Sequence, residues 1–459
     1  MPFDRAATPD PPPAPSEANA PERRGLLRRL GPGLVTGAAD DDPSGLGTYT
    51  QVGARFGYAL GWTLLLSWPL MVAIQEACAR IGCVTGEGLA AALRRHAPAW
   101  ALWPAVALLV VANVVNLAAD LGAMAAAASS LVVGGPPWLW AVAFGLLCIW
   151  LPARLDYRRY AAVLRWMAFA LLAYPAVALL AGVEWRAALT GLALPRFPGG
   201  WDALEALVAV LGTTISPYLF FWQASLEAEE RRARNGWRAD GTEAPNVIRV
   251  QLRRIRFDTS IGMAASNLVG WFVMIAAAAT LHAAGRHEVG SVAEAAEALR
   301  PLAGETAGLL FALGLIGTGM LALPAFSASI AYAVEEAAGW RGQGGLDQPF
   351  RKARSFYAMM ALVVAMGGVA EPLGLDPIQA LYWAAVVNGL LAPPLMAAVM
   401  WLADNPRLVG PDGCRPREAS ASRLVGPDCR LPRWLWLLGW FATFAMSAAA
   451  VALVVAWFR

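Results

Sequence analysis

Three successive carboxylates, Asp40, Asp41 and Asp42, stand in an otherwise apolar stretch running from Gly31 to Gly47. Carboxylate oxygens are hard ligands that suit magnesium, calcium or manganese. Pro43, directly after them, removes a backbone donor and clashes with the preceding turn, so a helix through this run has to break there. The run Gly212-Thr-Thr-Ile-Ser-Pro-Tyr218 has the same character, with Pro217 and hydroxyls at Thr213, Thr214 and Ser216. Taken alone it also fits an ordinary proline kink whose freed carbonyls meet neighbouring hydroxyls. Carbonyls unwound at a break, with carboxylates beside them, are chemistry for binding a cation.

The elements that must position these groups follow from composition. Of 459 residues, 58% are hydrophobic and 15% charged, with a mean hydropathy of +0.49. Soluble domains run at about 45–50% apolar and about 25% charged, so this is a polytopic membrane protein. A net charge of +3 excludes a nucleic-acid binder, and the apolar content excludes a disordered chain. Crossing the hydrocarbon core takes about 20 apolar residues in a helix. About eleven such spans are expected, near 31–54, 58–80, 101–126, 136–152, 160–182, 203–224, 257–284, 305–334, 354–370, 377–402 and 434–457. The aspartates then lie at bilayer depth, where a charge normally faces a cavity or a partner. A loop between two short helices is the plainer alternative, but 31–39 and 46–54 are each too short to span alone.

Basic residues set the orientation. All 36 except Arg55, Arg165, Arg186, Arg196, Arg286, Arg300 and Arg459 fall on one side of the expected bilayer or at helix ends facing it. The positive-inside rule places that side, and the N-terminus, in the cytoplasm. An odd number of spans then leaves the C-terminus extracytoplasmic, in a multi-pass protein of the cell (inner) membrane. Residues 1–30 read as a disordered cytoplasmic tail. The five cysteines are expected as free thiols. The hexapeptide Arg407–Asp412 recurs at Arg423–Asp428, each copy followed by a cysteine, Cys414 and Cys429. A slipped duplication explains it better than a metal site of two thiols.

The breaks fall in spans 1 and 6, so five spans begin with each break and an eleventh is appended. Span 1 leaves the cytoplasm and span 6 enters it. Interrupted segments at corresponding positions of inverted halves point to a transport site at the midplane. The expected fold is an all-α integral membrane protein with a LeuT-type 5+5 inverted repeat. Its first repeat covers 31–182 and its second 203–402, followed by a cytoplasmic loop at 403–433 and helix 11 at 434–459.

Several motifs resemble the NRAMP family of divalent-metal transporters. That family begins its first span with GPG, breaks it at DPGN, and ends its second span in ARLG and VTG. This chain has Gly31-Pro-Gly33, Asp42-Pro-Ser-Gly45, Phe56-Gly-Tyr58, Ala79-Arg-Ile-Gly82 and Val84-Thr-Gly86. Asp120 in span 3 matches a family acid. The resemblance implies Asp42 as principal ligand of a transported divalent cation. It also marks departures: Gly45 stands where the family has asparagine, Ser216 where it has methionine, and Tyr218 where it has a histidine linked to proton movement. Ala123 replaces a glutamate.

Each departure removes a ligand or a proton carrier, the methionine at 216 being the soft one, and Asp41 adds a hard oxygen. Thioether sulfur suits transition metals, whereas carboxylate, hydroxyl and water suit Mg2+ and Mn2+. The expected ligands are therefore Asp42, Asp41 and Ser216, with Gly45 and Tyr218 at the matching family positions. Asp120, Asp40, Asn388 and Thr214 are candidates for a proton or substrate path. Asn388 reads equally as interhelical glue, as do Asn113 and Asn116 beside Asp120. Thr48, Tyr49 and Gln51 are expected along an outer vestibule. Glu76 and Arg80 form an i,i+4 pair. No resident cofactor is expected, only the transported ion and the bilayer; uptake driven by protons and uptake down the membrane potential both stay open. No catalytic motif is present; the three histidines lie near helix ends. The competing reading keeps the fold and changes the substrate to a small organic cation, amine or amino acid.

Overall fold

The computed structural model describes residues 32–132, 134–154, 173–180, 182–235, 245–340, 345–346, 348, 350–370, 376–409 and 429–458. The tail at 1–30, most of 160–182 and the second RLVGPD copy lie outside these residues. The first broken helix comprises α1 (Pro32–Asp40) and α2 (Pro43–Phe56). After it come α3 (Trp62–Thr85), α4 (Leu89–His96), α5 (Ala99–Ala127), α6 (Pro137–Arg154), α7 (Ala173–Leu180) and α8 (Trp185–Ala193). The second broken helix comprises α9 (Gly200–Thr214) and α10 (Pro217–Asn235). The chain continues as α11 (Pro245–Ala277), short helical turns between 292 and 306, and α12 (Ala307–Ala338). It closes with α13 (Arg354–Ala370), α14 (Pro377–Asp404) and α15 (Arg433–Trp457).

Both breaks fall where proline demands them. Pro43 and Pro217 each open the second half of their helix, the first helical position being the one where a missing N–H costs nothing. Among the described residues eight helices are long and apolar enough to cross a bilayer. Of the other three expected spans, the first is split in two, Arg354–Gly368 is shorter, and only the 173–180 part of 160–182 is described. The largest boundary error concerns the seventh span. Expected from 257, α11 starts at Pro245, because Gln, Leu and Arg between 251 and 256 are good helix formers although too polar for a hydropathy reading.

Packing between helices relies on missing side chains. A Cβ at Gly37 would lie 2.4 Å from the Gly262 carbonyl carbon, and one at Gly212 would lie 2.1 Å from the Ala385 oxygen. Close backbone approach of this kind is how helices associate where lipid supplies no hydrophobic drive. It seats α1 on α11 and α9 on α14.

Buried apolar residues form two clusters, one around Ile74, Trp222 and Phe326, the other around Val52, Val210 and Met274. The breaks lie at their boundary, since Ala39 and Ile215 belong to the first cluster and Leu46 and Val210 to the second. Leu146, Leu179, Phe444 and Val451 are exposed on the outer faces, and Trp100, Trp138, Trp201, Trp434 and Trp457 are exposed near helix ends. That pattern is a lipid-facing belt with interfacial tryptophans. Cys78, Cys83 and Cys148 are buried thiols, as expected. Cys429 departs from expectation: it is part of a disulfide.

Candidate functional site

Asp42 stands between the halves of the first broken helix and caps the second. Its extended backbone (φ −86°, ψ 169°) turns Oδ1 onto the start of α2, where it accepts from the Gly45 N–H and the Ser44 hydroxyl, both at 2.7 Å. The other oxygen, Oδ2, is buried and has no protein partner. A carboxylate at a helix N-terminus meets the positive end of the helix dipole, so the local sequence holds this charge in place with one oxygen to spare.

The second break faces it. A Cβ on Gly45 would lie 3.3 Å from Thr213 Oγ1 and 3.5 Å from Asp42 Oδ1, which sets the first turn of α2 against the last turn of α9. Thr213 Oγ1 is buried without a partner. Asp120 on α5 is fully buried with both oxygens unpartnered, and Asp42 is a charged group bearing on it. A Cβ on Gly319 would meet both Met124, one turn beyond Asp120, and Pro43, so α5 lies against the break. Unpaired buried carboxylate oxygens carry a cost of several kcal/mol, and a bound cation is the direct way to remove it.

The remaining expected residues divide. Asp40 Oδ2 and Asp41 Oδ1 both meet the Ser266 hydroxyl of α11, at 2.6 and 3.0 Å. Their hydrogen-bond partner is thus on α11, and Asp42's are on α2. Tyr218 donates to the Ala39 carbonyl at 2.6 Å and packs on Phe326, tying the end of α1 to α10. Ser216 and Thr214 return their hydroxyl protons to carbonyls of their own helix, Ser216 to Gly212 and Thr213, Thr214 to Val210 and Leu211. Ser216 keeps its oxygen lone pairs; nothing observed places Thr214 on a path. Thr48, Tyr49 and Gln51 are buried, not open to a vestibule.

Asn388 is glue. It exchanges two amide hydrogen bonds with Asn116, at 2.7 and 3.0 Å, and Asn113 bonds the Phe326 carbonyl and Ser329. The double cycle Asn116→Leu with Asn388→Leu is expected to give a coupling of about 0.6–1.7 kcal/mol in unfolding measurements; additivity of the two single changes would refute the pairing.

Ser266 had no signal in the sequence. Thr213 was visible as a hydroxyl of the break, but only the fold sets it opposite Gly45. Among the described residues no group of three or more His, Cys, Asp and Glu side chains is arranged to hold a metal. An ion at the break would therefore have one or two carboxylates, with hydroxyls, carbonyls and water completing its shell. That donor set is the usual one for Mg2+ and is acceptable to Mn2+.

On the arginine-rich side, α1 is held to α11 by the Gly33 N–H, which donates to Asp258 at 2.9 Å. Glu76 on α3 takes Arg80 and Arg256 together.

With this geometry in view, a family model described as "Natural resistance-associated macrophage protein-like" matches residues 33–456. A divalent metal cation transporter MntH of Verminephrobacter eiseniae is 28% identical over 403 residues, 84% of either chain. That of Deinococcus radiodurans is 28% identical over 370 residues, 79% of either chain. A manganese transporter of Eremococcus coleocola shares the fold with a TM-score of 0.72 at 19% identity, over 96% of this chain and 91% of that one. Mhp1, a nucleobase-cation-symport-1 family transporter, superposes with a TM-score of 0.57 at 14% identity, over 93% of both chains.

Proposed function

The chain belongs to the Nramp family, and from that premise we propose that it is a secondary transporter of divalent metal cations, working by alternating access on a hard ion, Mg2+ or Mn2+. The single observation that carries the choice of ion is the break itself: Asp42 keeps Oδ2 unpaired inside the protein, and Thr213 and Asp120 likewise keep buried oxygens without a partner. An oxygen-only shell of low carboxylate count favours an ion that retains part of its water. Membership of the family favours this reading over the small organic cation.

The N-terminus lies in the cytoplasm in this reading, because the arginine-rich ends of the helices lie on that side. A divalent ion entering down the membrane potential gains about 4.6 kcal/mol per 100 mV. Uptake therefore needs no proton, and Asp120 is the acid that would serve if one is coupled. Tyr218, bonded to Ala39, has no part in proton transfer near neutral pH.

Proteoliposomes loaded with a magnesium- or manganese-sensitive dye test the proposal. Flux of either ion, driven by an inside-negative potential, is the expected result; no flux of both with protein correctly inserted overturns it. Ser216→Met is expected to shift preference toward soft ions, raising Cd2+ uptake relative to Mg2+ by about tenfold, because thioether sulfur is a soft ligand. An unchanged Cd2+ to Mg2+ ratio would remove Ser216 from the ion's shell.

A further inference from the structure

One face of α10 carries polar groups from the break towards the arginine-rich end of the molecule. Gln223, Glu227 and Glu230 follow one another at intervals of four and three residues, which stacks them on one side of the helix. Seven residues before Gln223, on the same line, stands Ser216 of the break. Other faces of α10 are taken up by packing: the Ala224 backbone lies against Gly82 of α3, and Tyr218 packs on Phe326 of α12. Gln223 is fully buried, and neither its amide oxygen nor its nitrogen has a hydrogen-bond partner among the described residues. Glu227 is 2% exposed, and its Oε1 is unpartnered in the same sense. Polar groups left unsatisfied in the interior are costly, and a succession of them marks a line that water or an ion visits.

The line ends in a small cavity. Glu227, Glu230, Gln251, Arg254, Asp258 and Pro32 line it, and about 10 Å3 of it is open to water, room for one molecule. Between the break and this cavity α1 covers the line, packing in the seam between α10 and α11. Along α11 it is seated by the Gly33 N–H on Asp258, by Gly37 on Gly262, and by Asp40 and Asp41 on Ser266. A Cβ on Gly33 would lie 2.7 Å from the buried Thr259 hydroxyl, itself unpartnered among the described residues. The seam under α1 is therefore polar on both walls, with hydroxyls at 259 and 266 on α11 and the Ser216–Glu230 line on α10.

We propose that Glu227 is a relay ligand for the transported cation, which leaves Asp42 along this face of α10 and is held at Glu227, with water, before it passes Glu230 and Asp258. The inference rests on the transport reading above and adds to it the residue that serves release. Glu227 stands about 16 Å of helix beyond Ser216, too far for the charge of Asp42 to accompany the ion. A divalent ion in a low-dielectric seam needs a compensating charge on the way. One carboxylate suits such a waypoint, where binding has to be strong enough to draw the ion in and weak enough to let it go. Magnesium and its like are bound through one or two carboxylates while keeping several waters. Arg254, 3.3 Å from Glu230, offsets the charge of the cavity, so the acids there do not trap the ion.

Glu227→Gln keeps the size of the side chain and removes its charge. The full chain is measured twice, for Mn2+ affinity by calorimetry in detergent and for Mn2+ uptake in dye-loaded proteoliposomes. The expected result is an unchanged Kd with a maximal uptake rate lower by about tenfold, the worth of one charged ligand. Glu227→Asp should recover most of the rate, since it restores the charge. Gln223→Leu, which interrupts the line one turn nearer the break, should also lower the rate and leave the Kd as it is. It carries the test alongside Glu227→Asp if the melting temperature shows that Glu227→Gln does not fold. A wild-type rate in folded Glu227→Gln overturns the relay and leaves the transport reading standing. So does a Kd weakened in step with the rate, which would make Glu227 part of the site at the break. No flux by the wild type removes the transport reading, and the relay with it.

Discussion

Asp42→Asn abolishes divalent-cation uptake and leaves the fold at its wild-type stability. The two halves of this expectation separate the two uses of one side chain. Oδ1 caps α2 through Ser44 and Gly45, and asparagine caps a helix about as well as aspartate. The amide keeps an oxygen for that work. What is lost is the negative charge on the unpartnered atom. A hydrogen bond or ligand interaction involving a charged group is worth about 1.5–3 kcal/mol, so ion affinity should fall by about 10–100-fold, enough to bring flux to background at limiting ion. Asp42→Ala removes both functions and should lower stability by a further 1 kcal/mol or so, the usual cost of losing a cap. Dye-loaded proteoliposomes read the first effect and thermal unfolding the second. Uptake by Asp42→Asn within about threefold of wild type would remove Asp42 as principal ligand; equal stability of the Asn and Ala variants would remove it as a cap.

The break itself was legible in the sequence because its cause is local. Proline at 43 and at 217 dictates where helices restart, whatever surrounds them, and both restarts occur there. Helix boundaries inside the bilayer were equally plain, as at α13 and α15, since lipid demands long apolar runs. The start of the seventh span's helix beyond the bilayer was not: α11 starts at Pro245, and charged, soluble helix has no hydropathy signature. Contacts between distant spans were hidden for a different reason. Ser266 touches Asp40 and Asp41 across more than two hundred residues, and a lone serine in an apolar span looks the same whether it faces a carboxylate or its own helix. Asn388 could be narrowed but not decided: polar and near prolines, it read equally as a path residue and as interhelical glue, and only the fold shows Asn116 as its partner. Residues whose role is set by their neighbours along the chain could be read; those whose role is set by packing could not.

Glu76→Gln is the substitution expected to damage stability most. Glu76 has no exposed surface, and its carboxylate receives Arg80 at 2.9 and 2.6 Å and Arg256 at 3.2 Å. Arg80 reaches in the other direction, donating to the Cys429 and Arg430 carbonyls at 3.0 and 2.8 Å. The group therefore joins α3, α11 and the segment that leads into α15. Removing one partner of a buried ion pair costs about 3–5 kcal/mol, because the other charge is left uncompensated. Arg256→Gln should cost no more than about 1 kcal/mol, its side chain being 36% exposed and its attraction screened by solvent. The double change Glu76→Leu with Arg80→Leu tells which role of Arg80 dominates. Replacing a buried pair by apolar groups is often neutral, but here it also takes a donor from the buried Cys429 carbonyl, at about 1–3 kcal/mol, and from the less buried Arg430 carbonyl, at less. Thermal unfolding of the detergent-solubilised chain should therefore show the double variant still below wild type. Full recovery would mean that Arg80 serves Glu76 alone and that the segment before α15 holds its place without it.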